Sequence, residues 1–238
     1  MNKRVTVLVD YKSGTYSDVS HKLQLGGYYL ATSTYDKGTG QWGMKPPVDY
    51  GAIIHTSAEG VRPLLVMNQA ELTEAASAFQ EALRLYRYLA KYDAYMKEPS
   101  RYPIGGKQYV SVTEVLKYVV AKPGLLAWYA KMSKEGKDPN AIRDEKAGQG
   151  STIHKNLLFF LRGDAVDVTA LDYVTKTLGH FERWCKAWQV QAVELEQTLV
   201  HQELGFAGTS DAVLTVDEAQ IVAWLEQKRE VVNAVREG

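Results

Sequence analysis

A mixed α/β fold is what this 238-residue sequence predicts, on three observations. A β-branched apolar run, RVTVLVD, lies near the start at 4–10. Two short apolar runs, GAIIHTS (51–57) and RPLLVMN (62–68), flank the turn AEG. LTEAASAFQEALRLYRYLAKY (72–92) repeats apolar residues every three or four positions. Dense β-branched runs bounded by turn residues read as strands, and a period near 3.6 reads as a helix with one apolar face. With 45% hydrophobic and 24% charged residues the chain has the makings of a sizeable core.

The elements follow in chain order. Residues 4–10 form a strand buried on at least one face, and HKLQLGGYYLATSTY (21–35) is a helix with Leu23, Gly27, Leu30 and Thr34 at helical spacing. Its Gly26 and Gly27 suit a close approach by another element. The runs 51–57 and 62–68 make a hairpin, and the helix 72–92 follows with Thr73 as N-cap. KEPSRYPIGGKQY (97–109), with two prolines, two glycines and no periodicity, reads as a linker. SVTEVLKYVV then opens a helix through a capping box of Ser111 and Glu114, and LLAWYAKMS (125–133) continues it. The polar stretch 134–150 reads as a flexible loop, with a helix restarting at GSTIHKNLLFFL (150–161). Residues 169–198 read as one or two further helices with an aromatic side, FAGTSDAVLTV (206–216) as a turn into a strand, and the tail from 217 as a helix carrying Ile221, Leu225, Val232 and Val235 near one face.

The totals exclude several classes. A net charge of zero means that binding to nucleic acid has to come from local basic patches and metal ions, since there is no bulk positive field. A single cysteine, Cys185, excludes an internal disulfide framework and a Cys-ligated iron–sulfur cluster. No run of 18 apolar residues occurs, so no membrane partner is expected and a cytoplasmic setting is the default, the host cytoplasm if the chain is phage-encoded.

The chemistry concentrates in VDYKSG (9–14). Strand alternation projects Asp10 and Lys12 together while Tyr11 points away. A carboxylate there suits Mg²⁺, and an ammonium can position a water or stabilise charge on a phosphate. Asp211 begins a second apolar run after a glycine-containing turn, so a second carboxylate would lie beside Asp10 if the two strands pair. Glu226 and Lys228 offer a rival pair, but on a helix residues i and i+2 stand about 200° apart and do not converge. Read alone, His154 also fits a partly buried helix histidine, Glu196 an ordinary helix-surface charge with Glu194 as competitor, and Gln24 with Tyr28 a packed helix pair. Trp128, Trp184 and Trp188 read as packing residues.

Taken together these residues resemble the PD-(D/E)XK nucleases, in particular the RecB-type, lambda-exonuclease-like branch that includes the mitochondrial genome-maintenance exonuclease and phage relatives. That branch runs from an SVTxVL-like helix start through a tryptophan-bearing helix, a G-x-x-x-H helix, a glutamate helix, a G-T-x-D strand, a D-x-K strand and a Q-x-x-x-Y helix. Here SVTEVL (111–116), LLAWYA (125–130), GSTIH (150–154), Glu196, GTSD (208–211), VDYKSG (9–14) and QLGGY (24–28) stand in for each. The order departs from the family, because the D-x-K strand stands at the N-terminal end and its usual predecessor near the C-terminal end. The chain therefore looks circularly permuted within a single domain (1–238). Residues 1–96 match the family's C-terminal half, 97–109 join the old ends, 110–216 match the N-terminal half and 217–238 are an appended helix.

The resemblance implies a mixed central β-sheet flanked by helices and a Mg²⁺- or Mn²⁺-dependent deoxyribonuclease. An exonuclease on single-stranded or end-containing DNA is preferred, with a structure-dependent endonuclease, a non-catalytic DNA-binding or assembly module, or an engineered scaffold retaining the fold as alternatives. Asp211, Asp10 and His154 would be metal ligands with the Tyr11 carbonyl as a fourth, Lys12 the catalytic lysine, and Glu196 an orienting residue. Gln24 and Tyr28 would approach the active site or the DNA strand, with Lys131, Lys134, Lys137, Arg143 and Lys146 guiding its backbone. A terminal strand able to pair in trans also leaves room for a homo-oligomer.

Overall fold

Strand β1 (Arg4–Lys12) carries five apolar residues in nine, divided between its two faces, because the sheet is covered on both sides where it runs. Val5, Val7, Val9 and Tyr11 enter one core layer and Leu8 the other. In the computed structural model, which describes residues 3–14, 17–92, 101–121, 123–166 and 172–237, β1 lies between two partners. It pairs in parallel with β4 (Tyr50–Ser57) from Val7↔Tyr50 to Lys12↔His55. On its other side it pairs antiparallel with β9 (Phe206–Asp217) from Arg4↔Asp217 to Val9↔Ala212. The nine-stranded mixed sheet has the order β3-β2-β8-β9-β1-β4-β5, with a β6–β7 hairpin added to β9. Both edges of β1 are therefore taken within the chain.

Between β1 and β4 come α1 (Asp18–Leu30), β2 (Ser33–Tyr35) and β3 (Trp42–Met44). Thr34, expected on the helix, lies in β2: α1 stops at Leu30, and Thr34 pairs with Leu199 of β8. The hairpin of β4 and β5 (Gly60–Met67) is as expected, and Pro63, which has no N–H to give, sits on the edge strand that can spare one.

The long helix α2 (Gln69–Tyr92) starts three residues before the expected segment, and Thr73 is not its cap. Asn68 Oδ1 accepts from Glu71 N and Glu71 Oε2 accepts from Asn68 N, a reciprocal capping box, while the Thr73 hydroxyl donates back to the Gln69 carbonyl. Helix α1 lies directly on α2: a Cβ on Gly26 would fall 2.4 Å from the backbone of Ala75. Glycine is needed there for the approach the sequence suggested.

The region read as a linker, 97–109, is corrected in part. Arg101–Ile104 (β6) and Lys107–Ser111 (β7) form a hairpin through Gly105 and Gly106, whose φ angles of 55° and 77° suit a tight hairpin turn; residues 93–100 lie outside the described set. Ser111 does precede α3 (Val112–Val119), but its side chain caps nothing and bonds Thr113, and Glu114 is buried.

The expected flexible loop is also corrected. After α4 (Pro123–Lys134) a single helix α5 runs from Pro139 to Arg162. Asp138 caps it by accepting from Asn140 and Ala141, Pro139 takes the first turn, and Gly163 at φ 77° closes it. Helix α6 (Asp172–Ala187) ends well before 198, and the rest of that segment is strand β8 (Gln191–His201). The tail is α7 (Glu218–Glu237); the side chains of Val232 and Val235 lie outside the described set.

Two core layers sandwich the sheet. One holds Leu25, Leu72, Phe79, Leu83, Val112 and Val115 from α1, α2 and α3. The other holds Ile153, Leu157, Phe181, Trp184, Cys185 and Ile221 from α5, α6 and α7. Trp184 is buried and Trp188 packs beside it, as expected of packing residues. No helix among the described residues is long and apolar enough to cross a membrane.

Candidate active site

The site lies where β1 and β9 part. Their ladder stops at Val9↔Ala212, yet β1 keeps pairing with β4 to Lys12, and β8 keeps pairing with β9 past this point. The next residues in register are Asp10 and Asp211, so two carboxylates face each other across the mouth of a fork. With its ladder partner gone, Tyr11 N donates instead to Asp211 Oδ2 at 2.6 Å.

Each acid is approached from a different core layer. Asp10, 3% exposed, accepts at Oδ1 from Gln24 Nε2 of α1 at 3.0 Å, and the same nitrogen lies 2.9 Å from the Tyr28 hydroxyl. Lys12 Nζ is 2.6 Å from Asp10 Oδ2, as the alternation of β1 requires, although that oxygen has no aligned hydrogen-bond donor. On the other side, His154 Nδ1 of α5 is 3.9 Å from Asp211 Oδ1, and the His154 ring packs edge-on to Tyr11 at 6.2 Å. Gly150, one helical turn before His154 and so on the same face, lies against the Ser13 side chain. This explains the glycine of GSTIH: it lets α5 come down onto the end of β1.

The protonation states follow from the crowding. Burial, and then the neighbouring Asp10 carboxylate, push the Asp211 carboxyl up to about 7, with Glu196 adding to the push, while the Tyr11 N–H and Lys12 work the other way. Burial holds the His154 imidazole below its ordinary range; Asp10 opposes this and Lys12 adds to it. Burial above all keeps Tyr11 and Tyr28 as neutral phenols, their pKa well above the usual tyrosine value.

Glu196, expected on a helix, sits on β8. The pairs Leu195↔Ala212 and Gln197↔Ser210 bracket it and place it opposite Asp211. Its φ of 51° is in the left-handed region, which a non-glycine residue enters at a cost of order 1–3 kcal/mol. The pleat changes at this level. Phe206 and Gly208 face the α1 side, but Ala212, Leu214 and Val216, of the same parity, face the α6 side. Glu196 pairs with Arg162 of α5 at 3.2 Å, a partner that no sequence signal marked. Its competitor Glu194 is opposite Val213, two residues further along β9 than Asp211.

Of the other expected residues, Gln24 and Tyr28 lie at the site beneath Asp10, and the rest are placed elsewhere. Gln24 and Tyr28 are buried, so their side chains support Asp10 and do not form a surface for a strand. Lys131, Lys134 and Arg143 lie on the α4–α5 arm, where no residue of known burial from 124 to 150 is buried. Lys131 is 3.9 Å from Glu135, and Arg143 bonds Asp144 and the Tyr129 hydroxyl. Glu226 and Lys228 are exposed on α7, with Lys228 over the Trp224 ring. Trp128 is on the arm, edge-on to Tyr129.

Among the described residues no three His, Cys, Asp or Glu side chains converge closely enough to hold an ion as they stand. The donor types nevertheless suit a hard divalent cation: two carboxylates with a buried oxygen lacking an aligned donor, and an imidazole kept neutral. No protein-family model, no curated protein and no solved structure matches the chain.

Proposed function

We propose that this protein is a Mg²⁺- or Mn²⁺-dependent deoxyribonuclease of the PD-(D/E)XK type with a circularly permuted order, acting as an exonuclease on single-stranded or end-containing DNA. The observation that carries the reading is the fork: Asp10 and Asp211, 201 positions apart in sequence, stand side by side with Lys12 on one and His154 near the other. The permuted order is supported by the far end of the same ladder, where Arg4 pairs with Asp217 and Glu218 N donates to the Lys3 carbonyl, so a short turn would join the two strands.

Asp10, Asp211 and His154 would hold the cation, with the Tyr11 carbonyl beside them. Once bound, the ion would supply Lewis-acid polarisation of a phosphodiester. Lys12 would exchange its partner, leaving the Asp10 carboxylate for the developing charge on the phosphate, where a preorganised ammonium stabilises the transition state most. Gln24 holds Asp10 in place from beneath, and Tyr28 holds Gln24. His154 stays neutral at pH 7 and is thereby free to act as a ligand.

A non-catalytic DNA-binding module is the second reading. It is favoured by the Lys12–Asp10 ion pair, which already neutralises one acid. One experiment separates the readings: incubation of end-labelled linear DNA and of closed circular DNA with Mg²⁺, with Lys12→Ala as control. Loss of the linear form alone, abolished by the substitution, supports the exonuclease, and nicking of circles points to an endonuclease. No cutting by either protein refutes the nuclease.

A further inference from the structure

Beside the fork lies a second cluster that the site does not use. The β2–β3 and β6–β7 hairpins meet through aromatic and cationic contacts. Trp42, on the edge strand β3, is edge-on to Tyr35 at 5.1 Å and lies against the Gly105 turn, where a Cβ would be 3.6 Å from its ring. The ring is held at two sides and still 42% exposed. Lys37 Nζ sits 4.8 Å above the Tyr102 ring. The nearest acid in sequence, Asp36, turns its Oδ1 to the N–H groups of Gly38 and Thr39, and Lys37 has no acidic partner within ion-pair distance among the described residues. The Tyr102 hydroxyl lies 3.3 Å from Thr209 Oγ1, two residues before Asp211.

We infer that these two hairpins form a cradle for one unpaired nucleotide of a single DNA strand leading into the fork, with Trp42 stacking on its base and Lys37 meeting its phosphate. The inference rests on the nuclease reading for its orientation toward Asp211. A fixed, half-open indole next to an unneutralised ammonium is the combination that binds single strands: every base has a π-face, and the backbone supplies one negative charge per nucleotide. A duplex, with its bases already stacked on each other, offers no face to Trp42. The continuity of Trp42, Tyr35 and Lys37–Tyr102 with Thr209 places the cradle along β9 toward the carboxylates.

The test measures binding without cleavage: fluorescence anisotropy of a labelled oligo-dT and of a blunt duplex, in chelator, with Trp42→Leu, Trp42→Phe and Lys37→Gln. Trp42→Leu is expected to weaken oligo-dT binding by about 5- to 100-fold, with Trp42→Phe recovering most of it and duplex binding unchanged. Lys37→Gln is expected to flatten the slope of log affinity against log salt by about 0.7. Wild-type affinity in Trp42→Leu, or equal losses for Leu and Phe, overturns the cradle. Hydrolysis of bis(p-nitrophenyl) phosphate with Mg²⁺, a diester too small to span from the cradle to the fork, reads the nuclease separately. Lys12→Ala should abolish it. A wild-type protein that binds oligo-dT through Trp42 and hydrolyses no diester upholds the cradle and sinks the nuclease.

Discussion

Replacing Asp211 by Asn should make the metal-free protein more stable at alkaline pH. The Asp211 carboxyl is pushed up to about 7 by burial and by Asp10, against an ordinary value of 3.8. Three units at 1.36 kcal/mol each set an upper bound of about 4 kcal/mol for the strain of ionising it in the folded state. The side chain is 24% exposed and partly screened by solvent, so about half, ~2 kcal/mol, is the working figure. Because the folded pKa is the higher one, the folded protein retains a proton that the unfolded chain loses. Wild-type stability therefore falls as pH rises from about 4 to about 7 and levels off above, and the substitution is silent below about 4. Asn keeps an acceptor for the Tyr11 N–H. Urea titrations in chelator at pH 4, 5.5 and 8, followed by circular dichroism, should show the gain growing with pH. A thermal scan at pH 8 should rise by about 4–8 °C for a chain of this size. With Mg²⁺ in excess the ranking should reverse, since the wild type gains a ligand that the variant binds poorly. A variant equal to or less stable than wild type at pH 8 in chelator would refute the crowding of the two acids.

Three further outcomes follow from the same geometry. Gln24→Leu removes the donor from buried Asp10 Oδ1 and should cost about 1–3 kcal/mol in a urea titration at pH 7. Glu196→Gly relieves the left-handed backbone and should gain about 0.5–1 kcal/mol over Glu196→Ala, read by thermal melting, while diester hydrolysis falls in both. Mn²⁺ binding measured calorimetrically should release protons at pH 7 and weaken at least tenfold between pH 7.5 and 5.5, because Asp211 must give up its proton to bind.

Much of the architecture was legible along the chain, since it depends on local periodicity. The runs 4–10, 51–57 and 62–68 pattern as strands and 72–92 as a helix, and each does so because neighbouring side chains decide which face is apolar. The misread stretches had polar or mixed surfaces. The stretch 97–109 looked like a linker because its prolines and glycines hid a two-residue Gly-Gly hairpin turn, itself a known signal. Residues 139–150 looked like a loop because a helix projecting from the body needs no apolar stripe, and only Asp138-Pro139 marked its start. Residues 191–198 looked helical because their glutamates broke the strand alternation at the level of Glu196, where the backbone itself departs from the regular strand.

Within the candidate site the same division holds. That Asp10 and Lys12 project together is a property of any strand, fully determined by the order Asp-Tyr-Lys. That Asp10 meets Asp211, that the ladder opens there, and that His154 comes down from one side and Gln24 from the other depend on which strands pair and which helices pack. Those choices are made by burial over hundreds of residues and leave no local trace. The Asp211 proton and the Trp42 cradle belong to the same category: a carboxyl acquires its pKa, and an indole its open face, only from what tertiary packing puts beside it.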